Sequence, residues 1–350
     1  MRTDDFDYNL PDELIAQTAA RPRDSARLMV LHRNSQAGEA EIEHAIFAQL
    51  PKYLSAGDVL VLNQTKVIPA RLYARKKPSG GKVEVLLLKK ESDILSNGGE
   101  VWTALLGGKN IKQDQQIEVE GGITALVINS LGEGRFQLRF EQPLSPHLSK
   151  IGSMPLPPYI KSYPKNPDDY QTVYAQDPGS AAAPTAGLHF TPELLENIRQ
   201  MGVCIEKITL HVGLDTFLPV REEHPEEHKI HSEWCHVSQR TVDVLRQAKE
   251  RGKRIIAVGT TTVRTLETLA QVNPKDPLSK GYEGTTRLYI LPGFSFRIID
   301  AMITNFHLPK STLLMLVCAF AGRERVLKAY ETAIQERYRF YSFGDAMLII

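Results

Sequence analysis

The sequence predicts a mixed α/β core, discontinuous along the chain and interrupted by a small all-β, barrel-like insert. Strand and helix signals alternate from about residue 180 to the C-terminus, a long middle stretch has strand signals alone, and core-like apolar runs flank that stretch on both sides. Alternation of the two element types marks an α/β layer. Short β-branched runs broken by Gly, Asn, Ser and Pro mark a barrel or sandwich. The expected division is a core of residues 1–65 and 150–350 with an inserted domain at 66–149. A chain of 350 residues is long enough for two domains.

Along the chain, Pro11–Gln17 reads as a first helical turn, and Arg27–Arg33 and Asp58–Leu62 read as short apolar strands. The runs KVEVLLL, EVWTALL, QIEVEG, ITALVI and RFQLRF supply the strands of the insert. Beyond the proline-rich stretch at Met154–Ile160, Thr191 provides an N-cap and Pro192 a first-turn proline for a helix. VCIEKITLHV then reads as a strand, Val242–Arg251 as a helix, RIIAVG as a strand and the region from Thr262 as a helix. A strand near Arg287–Ile290 and helices from Ser311 onward complete the expected core.

Lys and Arg total 42 against 41 Asp and Glu, so the net charge of +1 gives no global attraction to nucleic acid. Any RNA contact must use local patches. Cys204, Cys235 and Cys318 are far apart, odd in number and without CxxC spacing, so neither a disulfide framework nor a zinc ribbon is indicated and a reducing compartment is the simpler reading. The acidic start lacks an apolar signal core, and the longest apolar run, Ser311–Gly322, falls short of the roughly 20 residues that span a bilayer. The expectation is a cytoplasmic, membrane-free monomer.

Polar, glycine-bearing loops stand where strands end and helices begin, the usual ligand position in open α/β sheets. AAPTAGLHFT holds Thr185, Gly187, His189 and Phe190; VGTTTVRTLE holds Gly259, Thr260, Thr261 and Arg264; TNFHLPKST holds Asn305, His307 and Ser311. With His211 and Gly213 of HVGLDTF, the non-histidine members and His211 form the candidate substrate-binding set. Thr and Ser at such positions also serve as plain N-caps. Between the loops lie His224, His228 and His231, with Glu227 and Glu233 nearby, in a spacing that matches neither HExxH nor a zinc finger. Metal ligation, surface placement and acid/base work are the alternatives for these histidines. For RNA, Arg71, Arg75, Lys76, Lys77 and Lys82 lead into the insert, and RYRFYSF interleaves Arg337 and Arg339 with four aromatics. Cations suit phosphates and aromatic faces suit unpaired bases.

Across nearly its whole length the chain resembles the S-adenosylmethionine:tRNA ribosyltransferase-isomerases of queuosine biosynthesis. The matching segments are FDYNLPDELIAQ, RDSARLMV, NQTKVIPARL, MPLPPYI, AAPTAGLHFT, EEHKIHSE, VGTTTVRTLE, TNFHLPKSTLLMLV and YRFYSFGDAMLI. One departure is Asp215, where the family favours glycine; Asp tolerates left-handed geometry, so the backbone is expected to persist. The resemblance implies a metal-free enzyme using S-adenosylmethionine as cosubstrate. Its acceptor would be the aminomethyl-7-deazaguanine preQ1 at the wobble position of tRNAs with GUN anticodons, yielding epoxyqueuosine with release of adenine and methionine. Such chemistry needs a base beside the acidified C5′ protons. His307 and then His189 are preferred, with His228, His231 and Glu233 as further catalytic candidates and His211 as a weaker base candidate. Helix N-termini after Gly259 and Asn305, with Arg264, would hold the methionine carboxylate. Arg27 and Arg71 are weaker candidates for phosphate or substrate contact. The competing readings are a metal hydrolase built on His224, His228 and His231, and a non-catalytic RNA-binding protein using the insert.

Overall fold

The computed structural model describes residues 1–33, 41–92, 99–157, 159–161, 166–213 and 219–350. Asp215 lies outside them. The strands are β1 (Arg27–Leu31), β2 (Ile42–Ile46), β3 (Val59–Asn63), β4 (Thr65–Val67), β5 (Arg71–Lys76), β6 (Lys82–Ser92), β7 (Glu100–Gly107), β8 (Gln116–Val119) and β9 (Thr124–Gly132). They continue as β10 (Arg135–Phe140), β11 (Asp177–Ser180), β12 (Cys204–Leu210), β13 (Glu233–Val237), β14 (Ile255–Val258), β15 (Tyr282–Thr286), β16 (Ala301–Asn305) and β17 (Ala346–Ile349). The helices are α1 (Leu148–Ile151), α2 (Pro192–Gln200), α3 (Gln239–Glu250), α4 (Thr260–Val272), α5 (Thr312–Ala321) and α6 (Arg323–Gln335).

The chain divides into two compact units. One comprises Met1–Thr65, Pro158–Asp177 and Ala183–Ile350, the other Lys66–Pro157 and Pro178–Ala182. The first is built on a nine-stranded sheet in the order β15-β13-β12-β3-β14-β16-β17-β1-β2. Its centre, β12-β3-β14-β16, is parallel throughout. Strands β3, β14, β16 and β17 are buried at every residue. That explains their largely apolar sequences, broken only by Asn63, Thr304 and Asn305: a strand covered on both faces has no solvent side on which to place polar residues. Leu60, Leu62, Ile256, Val258 and Ile303 pack with Phe190, Leu194 and Ile198 of the α2 region in one core cluster. Helix α5, TLLMLVCAFA, is apolar on nearly all sides and almost wholly buried, as such a composition requires.

The second unit is a closed antiparallel barrel, β10-β7-β6-β5-β8-β9. Its interior holds Leu72, Val83, Val85, Leu87, Trp102, Ile117, Val127 and Leu138, the inward members of strands with alternating burial. The barrel-like reading of the middle stretch is correct.

Other elements differ from the sequence reading. The first helical turn is a single 3-10 turn at Asp12–Leu14. Strand β5 falls where the sequence shows a basic cluster: Leu72, Ala74 and Lys76 turn inward while Tyr73 and Arg75 face out. The expected strand at Arg287–Ile290 is absent, and the ladder lies just before it at Tyr282–Thr286. The β-branched and aromatic content of RLYI suggested a strand, yet β13 pairs with the preceding segment.

Candidate active site

A recess partly open to solvent, with about 60 Å³ of free space, lies in the first unit at the carboxyl ends of β14 and β16. Its wall includes Thr185 and Ala186, Gly259–Thr261, Thr304–Leu308, Ser311, Leu313, Tyr341 and Ser342, with Tyr159 and Val212. Strand ends are the expected place for a ligand because the following helices begin there.

The segment after β14 is shaped by Gly259, whose φ of +88° is open to glycine and costly for other residues. Its N–H donates to Ile303 O at 2.7 Å, and its carbonyl accepts from Thr262 N at 3.1 Å, so α4 starts immediately at Thr260. The first amides of any α-helix have no partner within it and carry the positive end of its dipole. Thr260 and Thr261, which carry two of those amides, line the recess. Asn63 fixes this corner: its Nδ2 donates to Leu210 O at 3.0 Å and Thr261 Oγ1 at 3.3 Å, and its Oδ1 accepts from Leu210 N at 3.0 Å.

Asn305, at the end of β16, forms the second corner. Its Oδ1 accepts from Thr185 Oγ1 at 3.2 Å, and its Nδ2 donates to Tyr341 O at 3.1 Å and approaches His189 Nε2 at 3.2 Å. Two residues on, His307 Nε2 lies 2.7 Å from Thr304 Oγ1, and the His307 N–H donates to the Tyr330 hydroxyl at 3.0 Å. The Tyr8 hydroxyl donates to His307 O. Burial of the ring pushes the His307 imidazole down to about 3, leaving it neutral near pH 7. Ser311 caps α5, accepting from Leu314 N at 3.2 Å, so its hydroxyl is an N-cap that also faces the recess.

Seven expected residues therefore share one cavity: Thr185, Gly259, Thr260, Thr261, Asn305, His307 and Ser311. His189 is buried behind Asn305 against the Phe47 ring, and burial lowers it to about 4. Phe190 is a core residue. Gly187 is set by packing, because a Cβ there would stand 1.9 Å from the Tyr174 hydroxyl. His211 bonds Thr65 Oγ1 at 2.8 Å and stacks on Trp234.

Arg264 and Glu233 occupy a different position from the one expected. They form a buried ion pair through Arg264 Nη1, while Arg264 Nε donates to Leu288 O at 3.0 Å and Gly213 N donates to Glu233 Oε1 at 3.0 Å. Arg264 does not line the recess; together with His231 it lines a separate small cavity, and its buried Nη2 has no hydrogen-bond partner among the described residues. His228 Nδ1 lies 3.0 Å from Glu222, and His224 Nδ1 lies 3.1 Å from Met1 O. Among the described residues no group of three or more His, Cys, Asp or Glu side chains is arranged to hold a metal ion. No helix among them is long and apolar enough to cross a membrane.

The cationic clusters need similar correction. Lys76 is buried, and its ammonium donates to Asn110 O at 2.9 Å and to Lys109 O. Arg71 pairs with Glu84 at 3.2 Å and Lys77 with Glu118 at 2.8 Å, while Arg75 and Lys82 are exposed. In RYRFYSF the rings of Tyr338, Phe340, Tyr341 and Phe343 are buried, which removes them as an external stacking platform. Arg339 pairs with Asp345 at 3.1 Å and Arg337 is exposed. Arg27 lies over the Tyr338 ring at 3.6 Å.

Comparison with known proteins fits this arrangement. A family model described as queuosine biosynthesis protein matches residues 3–349. The chain belongs to that family. It is a transferase of queuosine-related tRNA modification. Relatives named S-adenosylmethionine:tRNA ribosyltransferase-isomerase include those of Thermotoga maritima, 50% identical over 351 residues, and Desulfitobacterium hafniense, 49% identical over 354 residues. Each alignment covers all of this chain and all of the relative. A crystal structure of S-adenosylmethionine tRNA ribosyltransferase from Thermotoga maritima is similar with a TM-score of 0.56 and 41% identity, covering 99% of this chain and 100% of that one.

Tyr159, Thr304, Tyr341 and Ser342 line the recess without having been singled out for it. Thr304 was legible as the neighbour of Asn305 in a polar loop. Tyr341 belongs to the segment expected to face RNA; it adopts φ of +71° and lines the cavity instead.

Proposed function

We propose that this family member transfers and isomerises the ribosyl group of S-adenosylmethionine onto preQ1 at the wobble position of tRNA with a GUN anticodon. The product is epoxyqueuosine-tRNA, released with adenine and methionine in the cytoplasm. The observation that carries the reading is the recess itself, whose wall combines the first residues of α4 with a neutral imidazole. The amides of Thr260 and Thr261 suit the methionine carboxylate. The extruded wobble base enters at lower cost from a loop than from a duplex.

His307 is the proposed base at C5′. An imidazole held at about 3 is always unprotonated at neutral pH but weakly basic. The adjacent sulfonium supplies the missing driving force by acidifying the C5′ protons. Loss of one such proton gives an ylide that expels adenine and opens the ribose; the aminomethyl nitrogen then attacks, and the ribose oxyanion closes the epoxide as methionine departs as a neutral thioether. His189 acts indirectly by holding Asn305 in place.

Incubation with S-adenosylmethionine and preQ1-tRNA tests the reaction through release of adenine and methionine; absence of both from the wild type would reject it. The His307→Ala variant should slow single-turnover adenine release by roughly 100-fold or more. Its affinity for S-adenosylmethionine should change only a few-fold. A near-normal rate would remove His307 as the base.

A further inference from the structure

The recess is notable for its charge. Among the described residues that line it there is no Asp, Glu, Lys or Arg. Its imidazole is held neutral by burial. A cationic ligand placed here meets no carboxylate, so its charge must be balanced by oxygen dipoles or by the electron-rich face of an aromatic ring.

The wall contains three such rings, Phe306, Tyr159 and Tyr341; the two tyrosine rings have centroids 4.7 Å apart and planes inclined at 45°. Tyr341 adopts φ of +71°, an unfavourable conformation for an aromatic residue. Its surroundings enforce that conformation: Tyr341 N donates to Phe306 O at 3.1 Å, and Tyr341 O accepts from Asn305 Nδ2 at 3.1 Å and Gly344 N at 3.0 Å. Gly344 has no room for a Cβ, which would lie 2.4 Å from Arg339 O, so the turn cannot relax there. A strained residue fixed by three hydrogen bonds on a cavity wall marks a side chain whose direction matters. The Tyr159 hydroxyl is 2.6 Å from Ser342 Oγ, which fixes the neighbouring ring as well.

We propose that Tyr341, backed by Tyr159, presents its ring to the sulfonium of the cosubstrate and selects the charged sulfur over a neutral thioether. This rests on the proposed use of S-adenosylmethionine and adds the residue that recognises its charge. Tyr341 is a binding and specificity residue for the cation, distinct from the proposed base.

S-adenosylmethionine and S-adenosylhomocysteine share the adenosine and the amino-acid end, so the ratio of their dissociation constants isolates recognition of the sulfonium. Calorimetric titration of the wild type should favour the sulfonium compound, and Tyr341→Phe should keep that preference within about threefold, because both rings offer a π face. Tyr341→Leu should reduce the preference by roughly 10- to 30-fold, the scale of a desolvated cation–π contact, while binding of the thioether changes much less. Replacement of Tyr341 by phenylalanines of increasing fluorination keeps the ring's shape and should lower the preference stepwise. An unchanged ratio in both the Leu variant and the fluorinated series would overturn the assignment; equal weakening of both compounds would instead mark a packing or base-stacking role and would also overturn it. If the wild type binds neither compound, the proposed function fails together with this inference. Tight binding of both compounds by the wild type with no preference overturns the inference alone.

Discussion

His189 shows how a residue without access to substrate can shape the site. It is 5% exposed, its Nε2 meets Asn305, and its ring packs on Phe47. Burial, the largest cause, lowers its pKa from 6.5 to about 4; the Asp345 charge only partly opposes this. The unfolded chain therefore binds more protons than the folded one between those values. Stability from this group is intact above pH 7, declines as the pH falls through the unfolded value, and levels off below the folded value. Between pH 7.5 and 5.5 the loss should be about 1 kcal/mol. Urea unfolding of wild type and His189→Gln at the two pH values checks this. The variant should lose less on acidification by about that amount, and parallel pH responses would contradict a neutral buried His189. The same residue marks a limit of sequence reading. Its place in a polar loop before a helix was legible, but the direction of its ring depended on Phe47, which is more than a hundred positions away.

At the scale of elements, legibility followed periodicity. Most strands of the barrel and the buried strands β3 and β14 stood out because alternating or continuous apolar runs leave a local trace, whereas β16, AMITN, was not among the expected strands. Strand β5 was hidden because its outward positions are Arg71, Tyr73 and Arg75, so charge masked the inward Leu72 and Ala74. The polar loops stand at strand ends as expected, and Glu233 and Arg264, both expected at the site, form an ion pair between β13 and α4. Glu233 and Arg264 are 3% and 4% exposed, and such a pair leaves no sequence pattern to distinguish it from catalytic polar groups. Removing one partner strands the other charge in the interior, at a cost of about 3–5 kcal/mol. Glu233→Gln should therefore be strongly destabilised. A variant that also carries Arg264→Met should recover much of the loss, because two neutral side chains need no mutual compensation. Chemical unfolding of both single variants and the pair supplies the cycle. Strictly additive losses would show that the two do not act as a unit.

For the whole molecule, a net charge of +1 means that affinity for a polyanion must come from a small local surplus of cations. Several of the expected RNA-facing cations are already engaged: Lys76 is buried, and Arg71, Lys77 and Arg339 are paired with carboxylates. On the barrel, Arg75 and Lys82 are exposed and directly opposite each other across β5 and β6. Like charges in that position disfavour the ladder, and an approaching phosphate would relieve their repulsion. A contact involving about three phosphates gives a log–log salt slope near −3, so tRNA affinity should fall by roughly 50-fold between 50 and 200 mM salt. The double variant Arg75→Ala with Lys82→Ala should make the slope shallower by about 1.5 to 2. S-adenosylmethionine binding should stay unchanged, since the recess contains neither residue. Equilibrium tRNA binding across a salt series tests both parts. A wild-type slope near zero would mean that phosphate contacts contribute little, whereas a steep slope unaltered in the double variant would move the footprint away from this face of the barrel.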